Sequence, residues 1–413
     1  MSDHFKDLLY ANALINTTNN FVPINVTRHP SKFPADKVVE ALKLQKVMNI
    51  LLYKAIKDHA TYEISTMDEI YNMLVKMKRT NNKKKLTLIY MRTDYLLNKD
   101  YVLKQVEINT ISVAFVELNP RLNKVHSVEH KNVWLPENMP KFVQMVTLVR
   151  DSFIETNGYN DVIALLLDDN TSLQSANFFE KKNLIFELAA KGITMLHVTA
   201  KDIEIKGVFE NDKFIYDGKC VFFVYLRYFY NYDHHDDNIM ELRRRIENSD
   251  AVTLPSIELQ IIGLKMFQVI FESKDVLRKY LSDAQVKSIY DHFGDFKNIK
   301  DYQTGDENTY ILKSMREGGN TIITEDFQNY INEPDKYFLM KKIDSITVSN
   351  RFYTEKDDVD MILELGVLGT LIEYDGNVIL NEPSGFICRS KKKGSNECGV
   401  TCNYGGLDSV YKN

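Results

Sequence analysis

Tyr310 to Asp326 reads YILKSMREGGNTIITED. A short β-type run (Tyr310, Ile311, Leu312) delivers a lysine, Lys313. Arg316 and Glu317 follow, then Gly318, Gly319 and Asn320, after which threonines and an Ile-Ile pair return to strand-like composition. Adjacent glycines near a lysine let a backbone approach phosphate oxygens closely and offer N–H donors. The same residues also suit a plain hairpin with a Gly-Gly turn. The rest of the chain has to separate the two.

A length of 413 residues exceeds what one hydrophobic core usually holds, so two or three sub-domains are expected. The net charge of −5 argues against a nucleic-acid protein, which would carry a basic bias or stripe. No apolar run approaches the length of a membrane span. The first twenty residues lack a basic segment followed by an apolar one, so the expected location is cytoplasmic, or secreted if a leader has been lost. Cys220, Cys388, Cys398 and Cys402 are too few for a disulfide scaffold and include no CxxC pair, so reduced thiols are expected.

Outward from the glycine pair, the pattern alternates between helix and strand. Leu44, Val47, Met48, Leu51, Leu52 and Ala55 have the spacing of an amphipathic helix over 37–58, with Asp36 as its N-cap. LTLIYMR (Leu86–Arg92) reads as a strand ending at Arg92, and YVLKQVEI (Tyr101–Ile108) as the next, ending in polar residues able to hold a charged ligand. VIALLL is a strand buried on both faces; a helix from Asn177 to Ala190 and the strand ITMLHV complete a βαβ unit and a small parallel sheet. CVFFVYLRYFY (Cys220–Tyr230) is another buried strand, and YDHHDDN reads as a solvated loop rather than a metal site. IELQIIGLKMFQVIF predicts a helix carrying Lys265, followed by a second helix to about Phe293. DFKNIKDYQTGDENT reads as a linker. YFLMKKI is a strand, and Asp375-Gly376 marks a hairpin between two alternating strands, the first holding Glu364. The tail from Ile387 suits a loop closing over an anion.

Three stretches together, VEINTIS (Val106–Ser112), ILKSMREGGN (Ile311–Asn320) and ELGVLGTLI (Glu364–Ile372), resemble eukaryotic glutathione synthetase, an ATP-grasp ligase. The MRTDY strand end, the VYLRYFY strand and the RSK tail follow in matching order, and the resemblance covers nearly the whole chain. It implies an α/β (α+β) ATP-grasp fold with an inserted parallel-sheet substrate domain and a glycine-rich lid. The expected layout is 1–158 for the N-terminal body, 159–262 for the insert and 263–413 for the C-terminal part, with a lid at about 305–360 and a substrate loop at about 386–408.

The family joins the amine of glycine to the cysteinyl carboxylate of γ-glutamylcysteine, which ATP first phosphorylates. By resemblance, Glu107, Asn109 and Glu317 would hold Mg²⁺, a hard cation that takes oxygen ligands. Val106, Lys265, Lys313, Gly318, Gly319, Asn320, Met340, Lys342, Ile343, Glu364 and Lys391 would hold ATP. Arg92, Lys313 and Arg389 would be catalytic, since phosphoryl transfer needs fixed positive charge on the transferring group. The γ-glutamyl dipeptide and glycine, or analogues, would meet Arg92, Ser112, Asn177, Lys181, Arg227, Tyr230, Arg389, Val400 and Thr401. A homodimer is implied, with no nucleic-acid or membrane partner.

Five positions depart from the family. Ala114 stands where a second serine is usual, Val116-Glu117 replace a glycine pair, and Ser175 and Lys181 replace a glutamate and a glutamine. A unit charge about 4 Å from the substrate ammonium is worth roughly 4 kcal/mol at an effective dielectric near 20, about a thousandfold in affinity, so the ammonium is expected to bind poorly. The alternatives are therefore a paralogue with an altered substrate, an acidic group replacing the ammonium, or a protein resembling the secreted glutathione-synthetase-like proteins of plant-parasitic nematodes, with little or no such activity.

Overall fold

The computed structural model describes residues 4–18, 20–58, 69–77, 84–316, 327–395, 398–400 and 404–412, together with the backbone of 321–322. Among these, four sheets organise the chain. The central one is antiparallel, in the order Gly406–Asp408, Asn377–Lys392, Val359–Tyr374, Leu86–Leu97, Leu103–Asn109, with Val348–Asn350 added on Val359–Tyr374. Its longest hairpin turns at Asp375 and Gly376, with φ of 48° and 86°. A two-residue turn that matches strand twist needs positive φ at both positions, which is why an Asp-Gly pair sits there. The long helix Ala35–Ala55 packs its Leu44, Met48, Leu51, Leu52 and Ala55 stripe into the principal core beside this sheet. Pro34 occupies the helix's N-cap and Asp36 falls in the first turn, two residues too late to cap it.

Leu86–Leu97 does not stop at Arg92. Thr93, Asp94 and Tyr95 continue to pair with Ile108, Glu107 and Gln105 on one side and with Val367, Gly366 and Leu365 on the other. Of the polar side chains that look like a strand end, Arg92 and Asp94 are instead paired with each other within the sheet. The tail from Ile387 to Lys392 likewise belongs to the Asn377–Lys392 strand, not to a loop.

The inserted sheet is parallel at its centre. Val162–Asp168 lies between Met195–Thr199 and Lys219–Leu226, with the helix Phe178–Ala189 as crossover. Val252–Leu254 extends it in parallel, and the hairpin Gly207–Glu210/Lys213–Tyr216 extends it antiparallel. Lys219–Leu226 ends before Arg227, so Arg227 to Tyr230 lie beyond its carboxyl end, beside Asp168 at the end of the neighbouring strand. Ligands of parallel sheets gather at that edge.

A third, four-stranded sheet orders Phe296–Asn298, Tyr337–Lys341, Tyr310–Ser314 and Thr321–Ile322. The first of these comes from the segment that reads as a linker. Its two sparse apolar residues, Phe296 and Ile299, are buried. The expected helix around Lys265 is two, Ile257–Ile262 and Lys265–Phe271, broken at Gly263-Leu264. The helix expected to run on to Phe293 is likewise split into Lys274–Tyr280 and Asp283–Ile289. Leu312 pairs with Ile322 and Lys313 with Thr321, so the stretch around the glycine pair is a hairpin. Its tip, with Glu317, Gly318, Gly319 and Asn320, lies outside the described residues, as does Thr401. No helix among the described residues is long and apolar enough to cross a membrane.

Candidate active site

One face of the central sheet collects the charged side chains. Arg92 and Asp94 are two residues apart on one strand and so project the same way. Arg92 donates to Asp94 through Nε at 2.6 Å and Nη2 at 2.8 Å. Register sets Asn109 opposite Arg92, Glu107 opposite Asp94, and Arg389 opposite Glu364. Arg389 Nη2 donates to Asp94 Oδ2 at 2.9 Å and also to Glu364. Asn109 Nδ2 donates to Asp94 at 3.0 Å and to Glu107 at 3.3 Å. This density of side chains needs space beneath it, and Gly366 provides it. A Cβ at Gly366 would lie 2.7 Å from Asp94 Oδ1 and 2.8 Å from Arg92 Cδ.

Lysines approach from the neighbouring elements. Lys265, first residue of its helix, has Nζ 3.5 Å from Glu107 Oε1 and donates to the Arg316 carbonyl at 2.6 Å. Lys313 Nζ reaches the Val106 carbonyl at 3.5 Å. Burial pushes the Glu107 carboxyl up, but Lys265 and Lys313, then Arg92 and Arg389, outweigh it and hold the pKa at about 2. Burial, with Lys265 and Lys391, lowers that of Lys313 against the pull of Glu107 and Glu364. Arg92, Lys265, Lys313, Arg389 and Lys391 thus outnumber Asp94, Glu107 and Glu364, an excess of positive charge suited to a polyanion. Glu107 and Asn109 place a carboxylate and a carboxamide side by side, and the oxygens of both groups are the donor type a magnesium ion takes. Glu317, the third expected ligand, is outside the described residues, and among the described ones no group of three His, Cys, Asp or Glu side chains could hold a metal.

The apolar part of the expected nucleotide site lies between the central and four-stranded sheets. Val106, Met340, Leu96, Phe296 and Phe338 form one cluster, with Ile343, Ile311 and Ile362 packed against it. Lys342 turns away from it. Its Nζ donates to the carbonyls of Glu307 at 2.8 Å and Asn308 at 3.2 Å on the exposed side.

A cavity of about 310 Å³ opens between this charged face and the carboxyl edge of the parallel sheet. Arg92, Asn109, Ser112, Asn177, Lys181, Arg227, Tyr230 and Arg389 all line it, so eight residues singled out from distant parts of the sequence converge on one space. Val400 does not. Its side chain is buried in the N-terminal core with Phe5, Leu9 and Ile387. Glu117 faces away as well, accepting from Arg121 and, at 3.1 Å, from Asn183.

The charge expected from Lys181 is not free. Its Nζ, nine-tenths or more buried, is ion-paired with Asp168 and donates to Ser175 Oγ at 2.9 Å. Asp168 also bonds His197 Nε2 at 2.9 Å. Burial raises the Asp168 carboxyl, but His197 and Lys181 bring it well below the usual carboxylate range. The two substitutions that suggest a repelled ammonium therefore answer a carboxylate of this chain, and Asp169 adds a second one at the cavity wall. Sequence reasoning passed over Asp94 and Asp168. Each had a signal: Asp94 sits two residues from Arg92 on one strand face, and Asp168 is the polar residue closing the VIALLL strand at its carboxyl end.

The family of the eukaryotic glutathione synthase ATP-binding domain matches residues 6–412. The glutathione synthetase large chain of Schizosaccharomyces pombe is 26% identical, over 98% of this chain and 96% of its own. The human glutathione synthetase is 24% identical, over 93% of this chain and 89% of its own. In fold, the chain is similar to the apo form of a glutathione synthetase-like effector, GSS30, from Globodera pallida, with a TM-score of 0.79 and 20% identity over 99% of this chain and 95% of that one. The chain belongs to the eukaryotic glutathione synthase family.

Proposed function

We propose that this protein is an ATP-dependent carboxylate–amine ligase that joins glycine to γ-glutamylcysteine. The observation that carries the reading is the sharing of side chains. Arg92, Asn109 and Arg389 line the cavity and also belong to the charged face that holds Glu107 and Glu364. A carboxylate seated in the cavity against the two arginines would therefore lie beside the lysines suited to phosphates. ATP, with magnesium, supplies the phosphoryl group that turns this carboxylate into an acyl phosphate. The amine then forms the C–N bond, phosphate leaves from the same carbon, and the amine gives up a proton.

The chain's own residues do the positioning. Arg92 and Arg389 orient the carboxylate and offset charge growing on it, while Lys265 and Lys313 fix the phosphates. Glu107 and Asn109, with Glu317, would hold magnesium. Asp168 and Asp169 at the far wall would receive the γ-glutamyl ammonium.

A homodimer is proposed from the family resemblance, and sedimentation velocity tests it. A cytoplasmic location is proposed from the free thiols of Cys220, Cys388 and Cys398. The function is tested by coupled detection of ADP with magnesium, ATP, γ-glutamylcysteine and glycine, omitting each in turn. ADP only in the complete mixture supports the reading.

A further inference from the structure

The cavity wall between Thr110 and Phe115 is backbone in an unusual state. Ser112 and Phe115 have φ of 54° and 66°. Side-chain-bearing residues hold such angles only where surrounding structure forces them. Ser112 is tied to Arg227 by its hydroxyl, which donates to the Arg227 carbonyl, and Arg227 Nη1 donates back to the Val113 carbonyl at 2.6 Å. Arg92 Nη1 and Tyr225 Oη reach the Ala114 and Val113 carbonyls, each at 3.4 Å, and a further constraint comes from behind. Glu180, on the first turn of Phe178–Ala189, does not line the cavity and is 1% exposed. Its Oε2 accepts the Phe115 amide at 2.7 Å, and its Oε1 makes no hydrogen bond but lies 3.6 Å from Arg227 Nη1. Neighbouring Lys181 turns the other way, to Asp168.

Burying a carboxylate is costly unless charge and hydrogen bonds answer it. Here the answering groups are the strained wall and the arginine that lines the cavity. Among the described residues Glu180 is the carboxylate within 4 Å of Arg227, whose side-chain hydrogen-bond partners are the Val113 carbonyl and Tyr225 Oη at 3.2 Å, both neutral.

We propose that Glu180 is a positioning residue for substrate, fixing the Ser112–Phe115 wall through the Phe115 amide and aiming Arg227 into the cavity through charge. It rests on the ligase reading for the identity of the substrate but not for the clamp itself. The consequence is selective. Loss of the charge weakens capture of the peptide substrate and leaves the nucleotide side untouched, because Lys265, Lys313 and Glu107 share no contact with Glu180.

The test uses the full chain with Glu180→Gln, and Glu180→Asp as the conservative variant. An ionised acceptor makes a markedly stronger hydrogen bond than a neutral one. In the protein without substrate, deuterium exchange over 112–117 is expected to be at least about fivefold faster in Glu180→Gln, with partial recovery in Glu180→Asp. In turnover, KM for γ-glutamylcysteine should rise about tenfold, equivalent to about 1.4 kcal/mol, with kcat and KM for ATP within about twofold. Unchanged exchange would overturn the clamp. Faster exchange with an unchanged peptide KM in an active enzyme would reduce Glu180 to a purely structural role and overturn the positioning. If wild type releases no ADP with γ-glutamylcysteine, the ligase reading has failed by itself, and exchange alone then decides the clamp. If Glu180→Gln does not fold, the same two readouts on Glu180→Asp decide, with smaller changes in the same direction supporting the proposal and none overturning it.

Discussion

Arg389 Nη2 lies 2.9 Å from Asp94 Oδ2, while Arg92 holds both oxygens of the same carboxylate. A wholly buried aspartate is thus the hub that keeps two cavity arginines in one orientation. Removing one partner of a buried ionic group leaves the others uncompensated, which costs roughly 3–5 kcal/mol. Asp94→Asn should therefore lose about that much in urea unfolding and at least about a hundredfold in kcat/KM for the peptide substrate. Wild-type stability in that variant would show that the arginines do not depend on Asp94.

Gly366 makes the hub possible by leaving its Cβ out. In Gly366→Ala the new methyl would meet Asp94, Arg92 and, at 2.9 Å, Ile387 Cγ1. Forcing an extra carbon into packed surroundings costs roughly 1–3 kcal/mol, and here the displaced atoms include those of the Arg92–Asp94 pair. Thermal unfolding should shift down and peptide KM should rise, with the affinity for ATP less affected. An unshifted melting curve with normal kinetics would contradict the close approach.

Lys181 gives a test with opposite outcomes for two readings. If it presented a free charge to the substrate ammonium, Lys181→Met would tighten γ-glutamylcysteine by up to about a thousandfold. Paired to Asp168, it should instead change the peptide KM by less than about tenfold. It should also destabilise the fold by roughly 3–5 kcal/mol, because Asp168 loses its cation. Isothermal titration with the dipeptide, beside denaturant unfolding, separates them.

Glu272 should give the protein a pH-dependent stability. Burial, with the nearby Asp295, pushes its pKa to about 7, against the pull of the Phe296 amide that it accepts at 2.9 Å. A raised folded pKa means the folded protein holds the proton more tightly. The contribution is fully present below about 4.5 and is lost as pH rises through about 7. Glu272→Gln should flatten this dependence and be more stable than wild type by about 1–3 kcal/mol at pH 8, with little difference at pH 4.5 or below. Parallel pH profiles of melting temperature check it, and equal slopes would refute it.

These side chains also show what the sequence made legible. The Asp375-Gly376 turn, the βαβ run from Val162 to Thr199 and the stripe of Ala35–Ala55 are local patterns, and the structure has them where they were expected. Polar residues inside a strand read as its end, so Leu86–Leu97 was cut short at Arg92. Nothing in one strand reveals that Glu107, Gly366 and Arg389 wait on the others. Phe296 was lost in a polar stretch because its burial comes from Tyr337–Lys341, some forty positions on. In the site, spacing and resemblance identified the arginines and lysines that converge on the cavity and the charged face. They misjudged Lys181, since its partner Asp168 closes the strand before the crossover helix that carries the lysine, and named Val400, whose side chain packs in the N-terminal core instead.

The central claim is that the charged face and the cavity act as one site on a carboxylate. The most direct measurement is ADP release by the full chain with magnesium, ATP, γ-glutamylcysteine and glycine. ADP formed stoichiometrically with a glycine-extended peptide, and absent when either the dipeptide or glycine is omitted, is the predicted result. Binding of ATP without ADP release in the complete mixture would contradict it.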